Sequence, residues 1–136
     1  MEKIRINLTI KASSETIYNA LTTEEGLSSW WAKQTTAKPE IGFLNTFTFG
    51  NFVNKIKVIE LTPNEKVVWE CVESIDEWLG TFISFELEDK GEKTLIRFTH
   101  GNWKGITDVF AGCTYDWARF TASLKSLCET GIGKPA

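Results

Sequence analysis

Ile4, Ile6, Leu8 and Ile10 alternate with Arg5, Asn7, Thr9 and Lys11. A period of two, with every apolar residue on one side, predicts a half-buried opening strand. Ser13-Ser14 then offers a helix cap, and Ile17, Ala20 and Leu21 form a short apolar stripe. Thr22-x-x-Glu25 has capping-box spacing, with Thr22 as cap, and predicts a second short helix carrying Leu27, Trp30 and Trp31. From Pro39 to His100 the pattern is that of strands. Thr46 to Phe49 alternates and stops at Gly50-Asn51; Lys55 to Leu61 is closed by Pro63-Asn64; Val67 to Val72 follows. Thr81 to Leu87 and Thr94 to His100 flank the turn Asp89-Lys90-Gly91-Glu92. Such short connections mean sequential antiparallel pairing.

The last element is a long helix, Asp108 to Thr130, with Gly131 as its C-terminal cap. Phe110, Cys113, Trp117, Phe120, Leu124, Leu127 and Cys128 share one stripe, and Tyr115, Arg119, Ala122, Ser126 and Glu129 lie opposite. Only the apolar face of the sheet is large enough to receive that stripe. The expected fold is α+β: a curved antiparallel sheet of about six to seven strands wrapped around the C-terminal helix, a helix grip, with two short helices after the first strand. A straight helix cannot touch a strongly curved sheet along its whole length. The inward rings of Phe47, Phe49, Trp69, Phe85, Phe98, Trp117 and Phe120 either fill the resulting gap or line it.

One hundred and thirty-six residues make one domain, expected over residues 1–131 with 132–136 as a tail. Fifteen Lys and Arg against eighteen Asp and Glu leave a charge of -3, which argues against a nucleic-acid partner. No apolar run approaches the roughly 20 residues of a membrane span, and no secretory h-region opens the chain. Cys71, Cys113 and Cys128 are odd in number and lack CxxC spacing, as expected of reduced thiols in a cytoplasmic protein. With one histidine and scattered cysteines, neither a metal nor a cofactor is expected.

Several local patterns together resemble a known family. They are Ile10 to Thr22, Leu27-x-x-Trp30-Trp31, Pro63 to Trp69, Phe98-Thr99-His100, Trp117-x-x-Phe120 and Ser123-Leu124-Lys125. Their order along about 130 residues is similar to that of the START-like, or birch-pollen-allergen (SRPBCC, helix-grip), superfamily, and within it to the group named for activators of the heat-shock protein 90 ATPase. Asp116 stands where that group often has glycine, and Leu44-Asn45 where a second glycine is common. The resemblance implies a cavity between sheet and helix. Members include polyketide cyclases, lipid and hormone binders and chaperone co-factors, so it implies no single chemistry. It brings no catalytic residues to this chain.

The leading expectation is binding of a small apolar or aromatic molecule, lipid-like or polyketide-like, by Trp31, Phe47, Phe49, Trp69, Phe85, Phe98, His100, Cys113, Trp117, Phe120 and Thr121. A chaperone partner, with a role in stress response, is the second, and Trp78, Phe82, Val68 and Val72 would serve such contacts. A cyclase- or hydrolase-like enzyme is the third. His100 would be its base, with Glu73 or Glu60 as a carboxylate at the cavity mouth. Trp30 or Trp31 and Trp78 are candidates for the entrance, and Thr114 and Thr121 for ligand hydroxyl contacts. Phe82 faces away from the core, which leaves a monomer or a homodimer open.

Overall fold

The computed structural model describes residues 1–136. Its elements are β1 (Glu2–Ile10), α1 (Ser14–Thr22), α2 (Glu24–Trp30), β2 (Gln34–Thr36), β3 (Leu44–Phe49), β4 (Phe52–Thr62), β5 (Lys66–Glu73), β6 (Phe82–Asp89), β7 (Thr94–Trp103) and α3 (Asp108–Thr130). A short 3₁₀ turn, Asp76–Trp78, links β5 to β6. All seven strands form one antiparallel sheet in the order β1-β7-β6-β5-β4-β3-β2. The α+β helix-grip expectation holds. The edge strand β2 carries no apolar alternation, which is why the sequence does not announce it; it pairs with Thr46–Thr48. No helix is long and apolar enough to cross a membrane.

Local chemistry sets the helix boundaries. Ser13 caps α1 by accepting the Thr16 N–H at 3.1 Å, and Thr107 caps α3 by accepting that of Phe110 at 3.2 Å. The expected cap of α2 is displaced by one residue. Thr23, not Thr22, accepts the Gly26 N–H at 3.0 Å. Thr22 ends α1, buried, with its hydroxyl donating to the Tyr18 carbonyl at 2.8 Å. Packing chooses this register, because Gly26 lies against α1 where a Cβ would come within 2.6 Å of the Ala20 Cα. Gly131 closes α3 in the left-handed region (φ 85°), as expected.

Two bulges shape the centre of the sheet. The β4–β5 register slips between Lys55 and Ile56, where β5 holds the extra residue Val72, and between Val58 and Glu60, where β4 holds Ile59. Each extra residue reverses the facing of the side chains beyond it and adds twist.

The concave face is packed with rings. Trp31 stacks on Trp69 (5.9 Å between centroids, 4° between planes) and meets Phe47 at 4.4 Å and Trp117 at 5.1 Å. Phe85 touches Trp69 and Phe98, and Phe98 reaches Trp117 at 4.5 Å. Phe47, Trp69, Phe85 and Phe98 are fully buried. The gap between sheet and α3 is thus filled over most of its length, and the open space lies at one end.

Residues 132–136 are tied down. The Ile132 carbonyl accepts from Ser126 Oγ at 2.6 Å, the Lys134 N–H donates to Ser123 Oγ at 2.7 Å, and Ala136 exchanges backbone hydrogen bonds with Trp31 and Lys33. Gly133 makes this approach feasible, since a Cβ there would stand 2.2 Å from the Ser29 carbonyl oxygen.

Candidate functional site

The open space is a cavity of about 300 Å³. The amino-terminal half of α3 borders it with Cys113, Asp116, Trp117, Arg119 and Phe120. The far wall is Trp31, after α2, with Phe49 at the end of β3. Asn54 of β4 and Trp78 of the 3₁₀ turn bound the mouth, and Ala136 touches its edge. The aromatic rings present faces and edges in a joined surface: Trp78 stacks on Trp117 (6.1 Å, 14°), and Phe120 stands edge-on to Trp31 and Trp117. Such a wall suits a flat apolar guest.

Few polar groups meet the cavity. Asp116 and Arg119 pair at 3.0 Å near the surface, and the Arg119 guanidinium lies over the Tyr115 and Phe120 rings. The Trp78 indole N–H donates to Cys113 Sγ at 3.4 Å. Burial, with Asp116 and Glu77 nearby, pushes the Cys113 thiol above its ordinary range despite that bond, so it stays protonated at neutral pH. Asn54 is only 4% exposed, and its Oδ1 accepts from the Ser74 hydroxyl.

Of the residues expected to bind a ligand, the structure brings Trp31, Phe49, Cys113, Trp117 and Phe120 to the cavity. Phe47, Trp69, Phe85 and Phe98 stand behind them in the packed interior. Thr121 is also buried away from the cavity, its hydroxyl donating to the Trp117 carbonyl at 2.8 Å, and Thr114 bonds back to Phe110 at 2.9 Å. Trp30 is core, its indole N–H on the Ala20 carbonyl at 2.8 Å.

His100 is buried beneath this wall, with both nitrogens engaged. Nδ1 accepts the Trp117 indole N–H at 3.0 Å, which places the ring proton on Nε2. Nε2 therefore donates to Thr81 Oγ1 at 2.8 Å, and that hydroxyl donates to the Trp78 carbonyl at 2.6 Å. Burial depresses the histidine pKa to about 3. The imidazole is a neutral strut joining α3 to the entrance turn, with no lone pair free to take a substrate proton.

The carboxylates fall outside the cavity. The Val72 bulge turns Glu73 outward to pair with Lys55 at 3.6 Å, and the Ile59 bulge puts Glu60 opposite Val68, 3.9 Å from Lys66. An unbroken alternation would have pointed both inward. No group of three or more His, Cys, Asp or Glu stands together to hold a metal ion. Asn54 escaped the sequence reading, yet it carried a signal: it is in phase with the inward Ile56 and Val58. Asp116 and Arg119 carried none, since a helix flank of charged residues reads as solvated surface.

The family model of the Activator of Hsp90 ATPase homolog 1-like protein matches residues 11–129. The chain is similar to the solution structure of the Aha1 dimer from Colwellia psychrerythraea: identity is 41%, the TM-score 0.91, and the match covers 98% of this chain and all of the other. It shares its fold with protein MLL2253 from Mesorhizobium loti (18% identity, TM-score 0.83, covering 93% and 96% of the two chains). It also shares it with DynU16, a putative protein in the dynemicin biosynthetic locus (18%, TM-score 0.80, 98% of this chain and 49% of that one). No curated protein matches the sequence.

Proposed function

The chain belongs to the Activator of Hsp90 ATPase homolog 1-like family, and we propose that it acts as a binding domain for a small, flat, apolar molecule held at the mouth of the helix grip. One observation carries the reading: five aromatic side chains, Trp31, Phe49, Trp78, Trp117 and Phe120, border a half-open space with few polar groups. At about 300 Å³ the space sits at the lower end of small-molecule pockets. That favours a guest of one or two rings over a long lipid.

The test is an NMR titration with a panel of one- and two-ring aromatics and short fatty acids. A binder shifts the indole N–H resonances of Trp78 and Trp117 more than that of Trp30, which lies behind Trp31 with its N–H held on the Ala20 carbonyl. If no aromatic moves those two signals at millimolar concentration, the reading fails.

A second reading, a homodimer, is favoured by the Colwellia relative, which was solved as a dimer. The outer sheet face offers Phe82, 39% exposed, with Val68 diagonal to it on β5, opposite Ser84. Light scattering on wild type and Phe82→Glu separates monomer from dimer. The family description also supports a chaperone partner, for which stimulation of an Hsp90 ATPase is the direct assay.

A further inference from the structure

We propose that Asn54 is the specificity-determining contact of this pocket, and that the guest is a neutral aromatic carrying a hydrogen-bond acceptor such as a ketone oxygen, aimed at the Asn54 amide nitrogen. The inference deepens the binding-domain reading and rests on it.

Asn54 interrupts the apolar alternation of β4 on its inward face, ahead of Ile56 and Val58. A polar side chain there, 96% removed from solvent by its 4% exposure, must be satisfied or it costs stability. Half of its capacity is met. The Ser74 hydroxyl donates to Oδ1, which fixes the amide plane. The other half, the NH₂ group, makes no hydrogen bond to the protein and is not sealed from solvent, and Asn54 lines the half-open aromatic cavity. Hydrogen-bond donors anchored by a neighbour and left open toward a cavity are how apolar pockets orient a guest.

The charge around the mouth selects the guest further. Asp116 and Arg119 both line the cavity and are paired with each other at 3.0 Å. An anionic acceptor would give up its water there with no unpaired cation among the lining residues to meet it, whereas a neutral acceptor gives up far less.

Binding constants for naphthalene, acetylnaphthalene and naphthoate decide the matter. Wild type should hold acetylnaphthalene about three- to tenfold more tightly than naphthalene, the range one uncharged hydrogen bond supplies. Naphthoate should bind more weakly than the ketone. Asn54→Ala should lose the preference for the ketone over naphthalene, whatever its affinity for naphthalene itself. If that variant fails to fold, wild type still decides: its Asn54 side-chain NH₂ resonance should move downfield with the ketone and not with naphthalene. The proposal is overturned if wild type shows no ketone preference, if that preference survives in Asn54→Ala, or if the NH₂ resonance ignores the ketone. If naphthalene and the ketone both leave the indole signals of Trp78 and Trp117 unmoved, the pocket reading itself falls, which is a different result from losing selectivity alone.

Discussion

Lowering the pH from 7.5 to 5 should remove about 2 kcal/mol of folding stability through His100 alone. The ring is fully buried and surrounded by Trp78, Trp103, Trp117 and Thr81, none of them charged. Burial holds its pKa near 3 in the folded protein, against about 6.5 for an exposed histidine. As pH falls, the unfolded chain takes up the proton first. Between about pH 6.5 and 3 the unfolded state therefore binds more protons, and stability falls with pH throughout that window. At about 1.4 kcal/mol per pH unit the loss is roughly 2 kcal/mol by pH 5 and roughly 4 near pH 3, where the folded ring begins to protonate as well. His100 is the only histidine, and carboxylates titrate near 4, so the span from pH 7 to 5 belongs almost wholly to it. Urea unfolding followed by tryptophan fluorescence at pH 7.5, 6 and 5 measures the slope. His100→Asn is the control, because its side-chain oxygen can still accept the Trp117 indole proton. That variant should begin about 2–3 kcal/mol less stable, from the lost Thr81 bond and lost volume, yet be nearly flat over the same range. A wild-type profile as flat as that of the variant would mean the folded ring accepts a proton, and the hydrogen-bond assignment would be wrong.

Three other perturbations check the structure. Thr23→Ala should destabilise by about 1 kcal/mol through loss of the α2 cap, and thermal melts that show no difference from wild type would refute the assigned cap. Gly133→Ala should unseat residues 132–136, because its Cβ would collide with the Ser29 carbonyl; amide exchange at Lys134 and Ala136 should speed up at least tenfold. At pH 8 all three thiols should react slowly with a disulfide reagent, Cys71 slowest. Burial raises Cys71 to about 12 and Cys128 to about 11, and Cys113 lies above its ordinary value. Fast labelling of Cys113 would show that the pocket wall opens more readily than its packing implies.

The fold was legible because its signals are periodic and long. The alternation of β1, the stripe of α3 and the glycine after it are statements about which face meets the core, and tertiary structure had no reason to overrule them. The site was legible only in part, for two physical reasons. A count of two along β4 and β5 carries Glu60 and Glu73 inward, but one extra residue in each strand reverses the facing, and a bulge leaves no mark in composition. Phe47, Trp69, Phe85 and Phe98 are inward as expected. Whether inward rings fill a gap or line it depends on packing distances of about an ångström, which no pattern of residue types encodes. Capping shows the same limit on a smaller scale, since Thr22 and Thr23 are equivalent as letters and the contact of Gly26 with Ala20 decides between them.

The packed interior bears on function as well as stability. His100, Thr81 and the Trp78 carbonyl satisfy one another, as do Ser123, the Trp30 carbonyl and the Lys134 N–H. A guest forced among these groups would have to break bonds or displace close-packed rings, each at a cost comparable with its own binding energy. At the mouth no bonded group or packed ring need be displaced. Trp117 is shared by the two regions: its N–H is fixed by His100 and its ring borders the cavity. The buried network thus sets the orientation of the pocket wall before any ligand arrives, and that preorganisation spares the guest the entropy of ordering it. On this argument a guest at a hundredfold excess over its dissociation constant should add about 2.7 kcal/mol to stability. His100→Asn should leave most of that increment intact, because the asparagine oxygen can still hold the Trp117 indole.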